Sequence, residues 1–426
     1  MFMRYPAAMD RQSTGKLVVD VFTARQGRLA PVNNATVAIR QRTRYTRQNQ
    51  PLEVVITNES GKTETVSLST PSIELTQEPP QQQPYSTYDV EIQAPGYETL
   101  LIEGVQLFAD STAIQNVILG PEGSMERQVN EIIIEPHTLW GTYPPKIPED
   151  PIKQEPPPTG FVVLDQPVVP QFVIVHDGVP DNSVAPNYTV SFKDYIKNVA
   201  SSEIFPTWPE STIRANVLAI LSFTLNRVFT EWYRGKGYNF TITSSTAYDH
   251  AFFYGRNIYE SVSQIVDEIF VNYIKRPGFR QPLLTQYCDG VKVECPTWMT
   301  QWGSKNLGDQ GLDAVSILRS FYGQDISLDT APRVAGIPSS YPGTSLTIGS
   351  SGPSVRTIQE QLNAISNNFP AIPKVRADGN FGEQTADSVK KFQEVFNLTP
   401  DGIVGSATWY KISDIYVAVT RIAELV

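Results

Sequence analysis

The sequence predicts a multidomain chain: an N-terminal all-β sandwich, a central α+β domain and a C-terminal three-helix domain. Three observations carry this. Residues 15–121 alternate with the two-residue period of strands. From Thr212 onward the apolar spacing changes to steps of three and four, the period of a helix. Residues 342–426 hold an internal repeat, Asp-Gly-x-x-Gly-x-x-Thr, beginning at Asp378 and again at Asp401. At 426 residues the chain has room for two to four domains.

After a tail of residues 1–14, the runs KLVVDVF, ATVAIRQ, LEVVITN, TVSLS, YDVEIQA, TLLIEGVQLF and TAIQNVIL are short, rich in β-branched residues and separated by turn residues. They form the sandwich of 15–121. Residues 122–160 are a cleavable connector and proline-rich linker. The polar part, 122–135, carries Arg127 and Gln128 and is exposed to proteases. The rest contains Pro144, Pro145, Pro148, Pro151, Pro156, Pro157 and Pro158, which favour a semi-rigid extended strap. The central domain spans 161–330. Two strands are expected in GFVVLDQPVVPQFVIVHDG. A helix follows with Ile213, Val217, Ile220, Leu221, Thr224, Leu225, Val228 and Trp232 on one buried face, and Pro209 and Glu210 suit its first turn. Further helices are expected at about Ile258–Ile274 and Ala314–Tyr322. In the C-terminal repeat the glycine pairs permit tight turns, and the Thr and acid positions suit helix caps.

The net charge of −10 argues against a nucleic-acid footprint or a polybasic membrane patch. No apolar run approaches the roughly 18 residues of a membrane span. The N-terminal MFMRYPAAMDRQSTGK lacks the apolar core of a secretory signal, so the chain is expected to be made in the cytosol or to reach its site by an unusual route. Cys288 and Cys295 are the two cysteines, and the three histidines, His137, His176 and His250, are scattered. No metal site or cofactor is expected from this set, and the cysteines read as a local disulfide or two inert thiols.

The chemistry centres on Glu203. It follows Val199, Ala200, Ser201 and Ser202 and precedes an apolar corner of Ile204, Phe205, Pro206 and Trp208. A carboxyl among apolar groups keeps its proton to higher pH, as a general acid requires. Ser201 and Ser202 either orient that carboxylate or allow close helix packing. Glu210 reads as a first-turn acid, and Asp194 and Asp249 as caps or surface groups. Tyr195, Gln301 and Trp302 suit the lining of a cleft, the aromatic faces offering apolar contact and the amide hydrogen bonds. Trp302 equally suits a core anchor, and His250 is open between a structural and a cleft role.

Three resemblances sharpen this. The strand order of the N-terminal unit resembles the transthyretin-like, carboxypeptidase-regulatory sandwich, which implies no chemistry of its own. Gly352, Pro353, Gln359, Asp378-Gly379, Phe381-Gly382, Thr385, Gln393, Asp401-Gly402, Gly405, Thr408 and Trp409 resemble the three-helix peptidoglycan-binding module. The central segment resembles the SpoIID family of lytic transglycosylases in two blocks: Tyr195 through Glu203 to Pro206, Trp208 and Glu210; and Cys288-Asp-Gly290 followed by Trp298-Met-Thr-Gln301-Trp302-Gly303. The zinc-binding Cys/His cluster of relatives is missing from Thr243–His250, so a zinc requirement does not carry over. Taken together, the chain is similar to the clostridial spore cortex-lytic enzymes. That implies Glu203 as the one catalytic acid and base, substrate contacts at Tyr195, Trp208, His250, Gln301 and Trp302, and activation by cleavage at Gln128–Val129. It also implies cortex peptidoglycan and a subtilisin-like Csp germination protease as partners, and a location in the spore cortex or coat. Two alternatives stay open: a non-catalytic wall-binding or amidase-enhancer scaffold, and a hydrolase using Glu203 with a second acid.

Overall fold

The computed structural model describes residues 13–25, 28–42, 50–123, 130–153 and 166–420. The bond Gln128–Val129 lies outside the described residues.

Strands β1 (Ser13–Arg25), β2 (Arg28–Pro31), β3 (Thr36–Gln41), β4 (Glu53–Ile56), β5 (Val66–Thr70), β6 (Ser86–Gln93), β7 (Leu100–Leu107) and β8 (Thr112–Leu119) build the N-terminal unit. The seven anticipated runs all supply strands, and β2 is an addition. In the first sheet β1 pairs in parallel with β8 along one edge, and antiparallel with β2 and β5 along the other. The second sheet runs β4-β3-β6-β7. Leu17, Val19 and Val21 from one sheet and Val37, Ile39, Val90, Ile92 and Ile102 from the other are fully buried in one core, as the alternation requires.

The polar connector holds a strand that its composition does not advertise. Glu131–Ile133 (β9) pairs in parallel with β7 and extends the second sheet. The alternation is carried by Ile132 and Ile134, the latter buried. Beyond it, residues 136–153 do not hang free as a spacer. They run across the central domain as a strap, fixed by backbone bonds from Ile147 to Ala247 O (2.7 Å) and from Leu284 to Pro151 O (3.1 Å).

The central domain opens with β10 (Val168–Val169), β11 (Phe172–His176) and β12 (Asn187–Ser191). Helix α1 (Phe192–Glu203) follows. Ser191 caps it by accepting from the Asp194 N–H at 3.2 Å, and Glu203 is its last residue. Asp194 is thus a first-turn acid beside the cap. Helix α2 (Glu210–Phe229) starts behind Pro209, and Glu210 pairs with Arg214 across one turn. The sequence points to one buried face, but sixteen of its twenty residues are buried. It is the central helix, packed by neighbours on most sides rather than lying on the surface. β13 (Ile242–Thr243) pairs with β11.

The helix expected over Ile258–Ile274 is shorter: α3 covers Glu260–Ile269. Ile258–Tyr259 instead form β14, paired antiparallel with β8 of the sandwich, and Asn272–Lys275 pairs with Ser327–Thr330. Strand partners outside the segment outweigh its helical periodicity at both ends. α4 (Gln301–Asp309) and α5 (Ala314–Tyr322) complete the domain. Cys288 and Cys295 are joined by a disulfide.

The C-terminal domain consists of α6 (Pro353–Ser366), α7 (Glu383–Val395) and α8 (Ser406–Thr420). Its repeat is a hydrogen-bond circuit used twice. Gln359 accepts from Gly379 N–H (2.8 Å) and donates to Asn380 O (2.9 Å) and Thr385 Oγ1 (3.1 Å). Gln393 accepts from Gly402 N–H (2.8 Å) and donates to Ile403 O (3.0 Å) and Thr408 Oγ1 (3.1 Å). Gly379 and Gly402 have φ of +81° and +74°, where a side chain is strained. No side chain caps α7. Thr385 is instead an acceptor for the buried glutamine of the preceding helix.

Candidate active site

Glu203 ends α1 where the chain turns extended at Ile204, and its carboxyl enters a cavity of about 120 Å³. That is narrow beside the roughly 300–1,000 Å³ typical of ligand clefts. The strap lines one side with Thr138, Tyr143, Pro144 and Lys146. Tyr287, Asp289, Lys292 and Gln301 line the other. The strap is pinned beside the site: Thr138 donates to Ser202 O through both its N–H (3.1 Å) and its hydroxyl (3.0 Å).

One oxygen of Glu203, Oε1, accepts from the Ala251 N–H at 2.6 Å. The other, Oε2, is buried with no hydrogen-bond partner. The Tyr287 hydroxyl lies close enough to steady the ionised carboxylate, yet it too makes no full hydrogen bond. Burial raises the Glu203 pKa above the usual carboxylate range; the Lys146 ammonium, Tyr287 and the Ala251 N–H oppose this. Lys146 itself is driven down by burial, with Glu203 and Asp249 pulling the other way. Its ammonium donates to Asp249 O and stands over the Phe223 and Tyr287 rings at 5.2 and 5.1 Å.

The two sequence blocks meet here. Gln301, first residue of α4, lines the cavity and donates from Nε2 to Glu203 O at 3.0 Å. The turn Cys288–Gly290 leads to it; Gly290 has φ +77°, and a side chain there would strike Thr300, the N-cap of α4. Tyr195, His250 and Trp302 do not line the cavity. The Tyr195 hydroxyl meets His250 Nδ1 at 3.0 Å one layer behind it, and His250 is stacked on Tyr287 (5.8 Å). Burial holds His250 well below its ordinary pKa, so it is neutral. Trp302 packs on Trp208 and Phe205 at 5.0 and 6.0 Å. Trp208 lies against the sandwich, its Nε1 donating to Thr76 O at 2.9 Å. Ser201 and Ser202 do not touch the carboxylate: Ser201 accepts from Tyr259 N–H and Ser202 donates to Asn198 O.

Three contributors are not evident in sequence: Lys146, Tyr287 and the Ala251 N–H. Lys146 sits among prolines, where the segment reads as linker. Tyr287 immediately precedes the Cys-Asp-Gly turn, which is the one local cue. The Ala251 N–H depends on Asp249. That residue is neither a cap nor exposed; it is fully buried, accepting from Arg227 Nε (2.7 Å), Tyr233 OH (2.6 Å), Thr243 N–H (2.9 Å) and Thr243 Oγ1 (2.7 Å). Asp289 is the other carboxylate among the described lining residues. Its oxygens are taken by the N–H groups of Val291, Lys292 and Val293. Among the described residues no group of three or more His, Cys, Asp or Glu side chains converges as metal ligands would, and no helix is long and apolar enough to cross a membrane.

Residues 351–412 match the family described as "putative peptidoglycan binding domain". The C-terminal three-helix unit is therefore a peptidoglycan-binding domain. The chain is 28% identical over 152 residues to the N-acetylmuramoyl-L-alanine amidase CwlL of Bacillus licheniformis, covering 35% of this chain and 39% of that protein. It is 26% identical over 152 residues to a probable N-acetylmuramoyl-L-alanine amidase of the same organism, covering 35% and 40%. The chain thus spans about two fifths of the length of these relatives. Among solved structures, the minor pilin GBS52 of Streptococcus agalactiae aligns over 28% of this chain and 49% of its own, at 11% identity and a TM-score of 0.18.

Proposed function

We propose that the chain is the proenzyme of a lytic transglycosylase of the SleC type, cleaving the MurNAc–GlcNAc bond of spore cortex peptidoglycan during germination. The observation that carries this is a single available carboxyl among the described residues that line the cavity. Glu203 has one unpartnered oxygen and a raised pKa, while Asp289 is held by three backbone N–H groups. A hydrolase of the usual kind needs a second carboxylate to activate water or attack carbon.

One carboxyl suffices when the sugar supplies the nucleophile. Protonated Glu203 gives its proton to the leaving glycosidic oxygen as the C1–O bond breaks. The muramic 6-hydroxyl oxygen then bonds C1 and returns its proton to Glu203. The products are a 1,6-anhydro end and a free GlcNAc hydroxyl, with no water consumed. The Tyr287 hydroxyl and Lys146 ammonium are placed to support charge as the carboxylate forms. Cleavage in the connector near Gln128, by a Csp-type germination protease, would sever the covalent link between the sandwich and the catalytic half. Mass spectrometry of digested cortex tests the reading. Anhydro-muramic ends are expected; reducing ends would establish a hydrolase instead, and no products a scaffold.

Lys146→Met gives a further check. The first step needs protonated Glu203, so kcat/KM falls as pH rises through its pKa. The Lys146 cation holds that pKa down against burial, so its removal is expected to move the alkaline limb to higher pH. A limb that stays in place, or moves down, would remove Lys146 from the site's electrostatics.

The binding domain makes an independent contribution. Deleting residues 342–426 is expected to abolish co-sedimentation with insoluble peptidoglycan while soluble glycan fragments are still cut. Undiminished sedimentation would place the wall contact elsewhere.

A further inference from the structure

The sandwich and the catalytic half share their sheets. β9 and β14 both lie beyond the proposed cut, yet β9 extends the second sheet at β7 and β14 extends the first at β8. We infer that the sandwich remains bound as a separate subunit after the connector is cut, so that cleavage and release are two events. The inference rests on the proposed cut within 124–129 and deepens it.

The contact has the character of a protein core. Phe108 of the sandwich is fully buried among Tyr85, His137, Phe205 and Tyr259, with ring centroids 5.2–5.8 Å away. Around it Gln106 is held on every side. Its N–H donates to Asn257 Oδ1 (3.1 Å), and its carbonyl accepts from Asn257 Nδ2 (3.0 Å) and the Tyr259 hydroxyl (3.2 Å). Its side chain accepts from Arg256 Nη2 (2.6 Å) and donates to Glu135 O (2.8 Å). Gln115 donates to Gly255 O at 2.9 Å, and Gly255, at φ +72°, packs directly against Ile132 of β9. The sandwich also reaches the binding domain, where Asn397 donates to Asp20 at 2.7 Å and Phe22 meets Phe369 at 6.1 Å.

Breaking one peptide bond in 124–129 removes none of these contacts. What it removes is the tether that makes the contact intramolecular, a loss of effective concentration. Buried apolar contacts joined by hydrogen bonds characterise permanent interfaces, although Arg256 Nε and Nη1 and Gln115 Oε1 are buried here without a partner. Departure would also bare the hydrogen-bonding edges of β7 and β8, a state folded proteins avoid. While the sandwich stays, Phe205, Trp208 and Tyr259 beside Glu203 remain covered.

The test replaces residues 124–129 with the recognition sequence of a site-specific protease and cuts the full-length chain to completion. At micromolar concentration both fragments are expected to elute together in native size exclusion, with an intact mass near the 47.4 kDa of the uncut chain by native mass spectrometry. Two separate peaks overturn the inference. Phe108→Ala, checked as a folded uncut chain by circular dichroism, is expected to weaken retention by about 10²–10³-fold. Retention as tight as in the parent would show that the interface is not the one described. The readout is mass, so it is separable from the activity. Fragments that stay together preserve the inference whether or not glycan is cut; a catalytic fragment stripped of the sandwich, still folded by circular dichroism, that cuts no glycan sinks the transglycosylase reading. Fragments that part while glycan is cut overturn the inference and leave that reading standing.

Discussion

Glu203→Gln is expected to lower the release of anhydro-muropeptides by at least about 10²–10⁴-fold, the usual worth of general acid–base catalysis. The amide keeps the shape of the side chain and can still accept from the Ala251 N–H, but it has no proton to give the leaving oxygen. The variant should also be no less stable than the parent at neutral pH. Burial raises the Glu203 pKa in the folded chain, so between the unfolded value near 4.5 and the raised folded value the native state binds more protons. Stability contributed by this group therefore falls as pH rises through that window, and the neutral amide removes the fall. A melting temperature at pH 7 equal to or above the parent's, together with lost activity, separates chemistry from folding. Full activity would take Glu203 out of the mechanism.

The candidate site was legible in sequence where side chains are local to one motif and illegible where they converge from a distance. Glu203 stood out because the apolar Ile204 and Phe205 follow it in the chain, although the groups that meet its carboxyl are the Ala251 N–H, Tyr287 and Lys146. Gln301 stood out through the second block. Lys146 did not, because a lysine in a proline-rich linker gives no sign of crossing a cavity, and the Ala251 N–H belongs to the backbone. The aromatic residues show the opposite limit. Tyr195, Trp302 and His250 carry the chemistry of sugar binding, but the same properties make good core. In the structure they are buried behind the cavity rather than in its lining. At the level of fold, the sandwich runs and the repeat were readable from period and glycine spacing. β9 and β14 were not, since three- and two-residue strands exist through partners contributed by the other half of the chain.

Arg227→Met is the variant expected to cost the fold most, and its effect bears on how the strap reaches the site. The Arg227 guanidinium is fully buried at the end of α2. It gives Nε to Asp249 at 2.7 Å, two nitrogens to Glu149 of the strap at 2.6 and 3.0 Å, and a further bond to Tyr248 O at 3.1 Å. Burial favours the neutral form of Glu149, but Arg227 and Lys153 together hold its pKa below the usual range. Methionine fills the space but leaves the buried Asp249 carboxylate without its ion-pair partner, and leaves Glu149 with Lys153 alone. Removing one partner of such a group typically costs about 3–5 kcal/mol, read as a melting temperature lower by roughly 6–20 °C for a domain of this size. Arg227→Lys keeps the charge without the planar fork and should recover part of that loss. Activity should fall by more than the unfolded fraction explains. Asp249 holds the loop that presents the Ala251 N–H to Glu203, and Glu149 anchors the strap three residues after Lys146. Measured below the melting transition, kcat is therefore expected to drop in the folded variant. A destabilised protein with unchanged kcat would confine Arg227 to the core and detach the strap's anchoring from the chemistry.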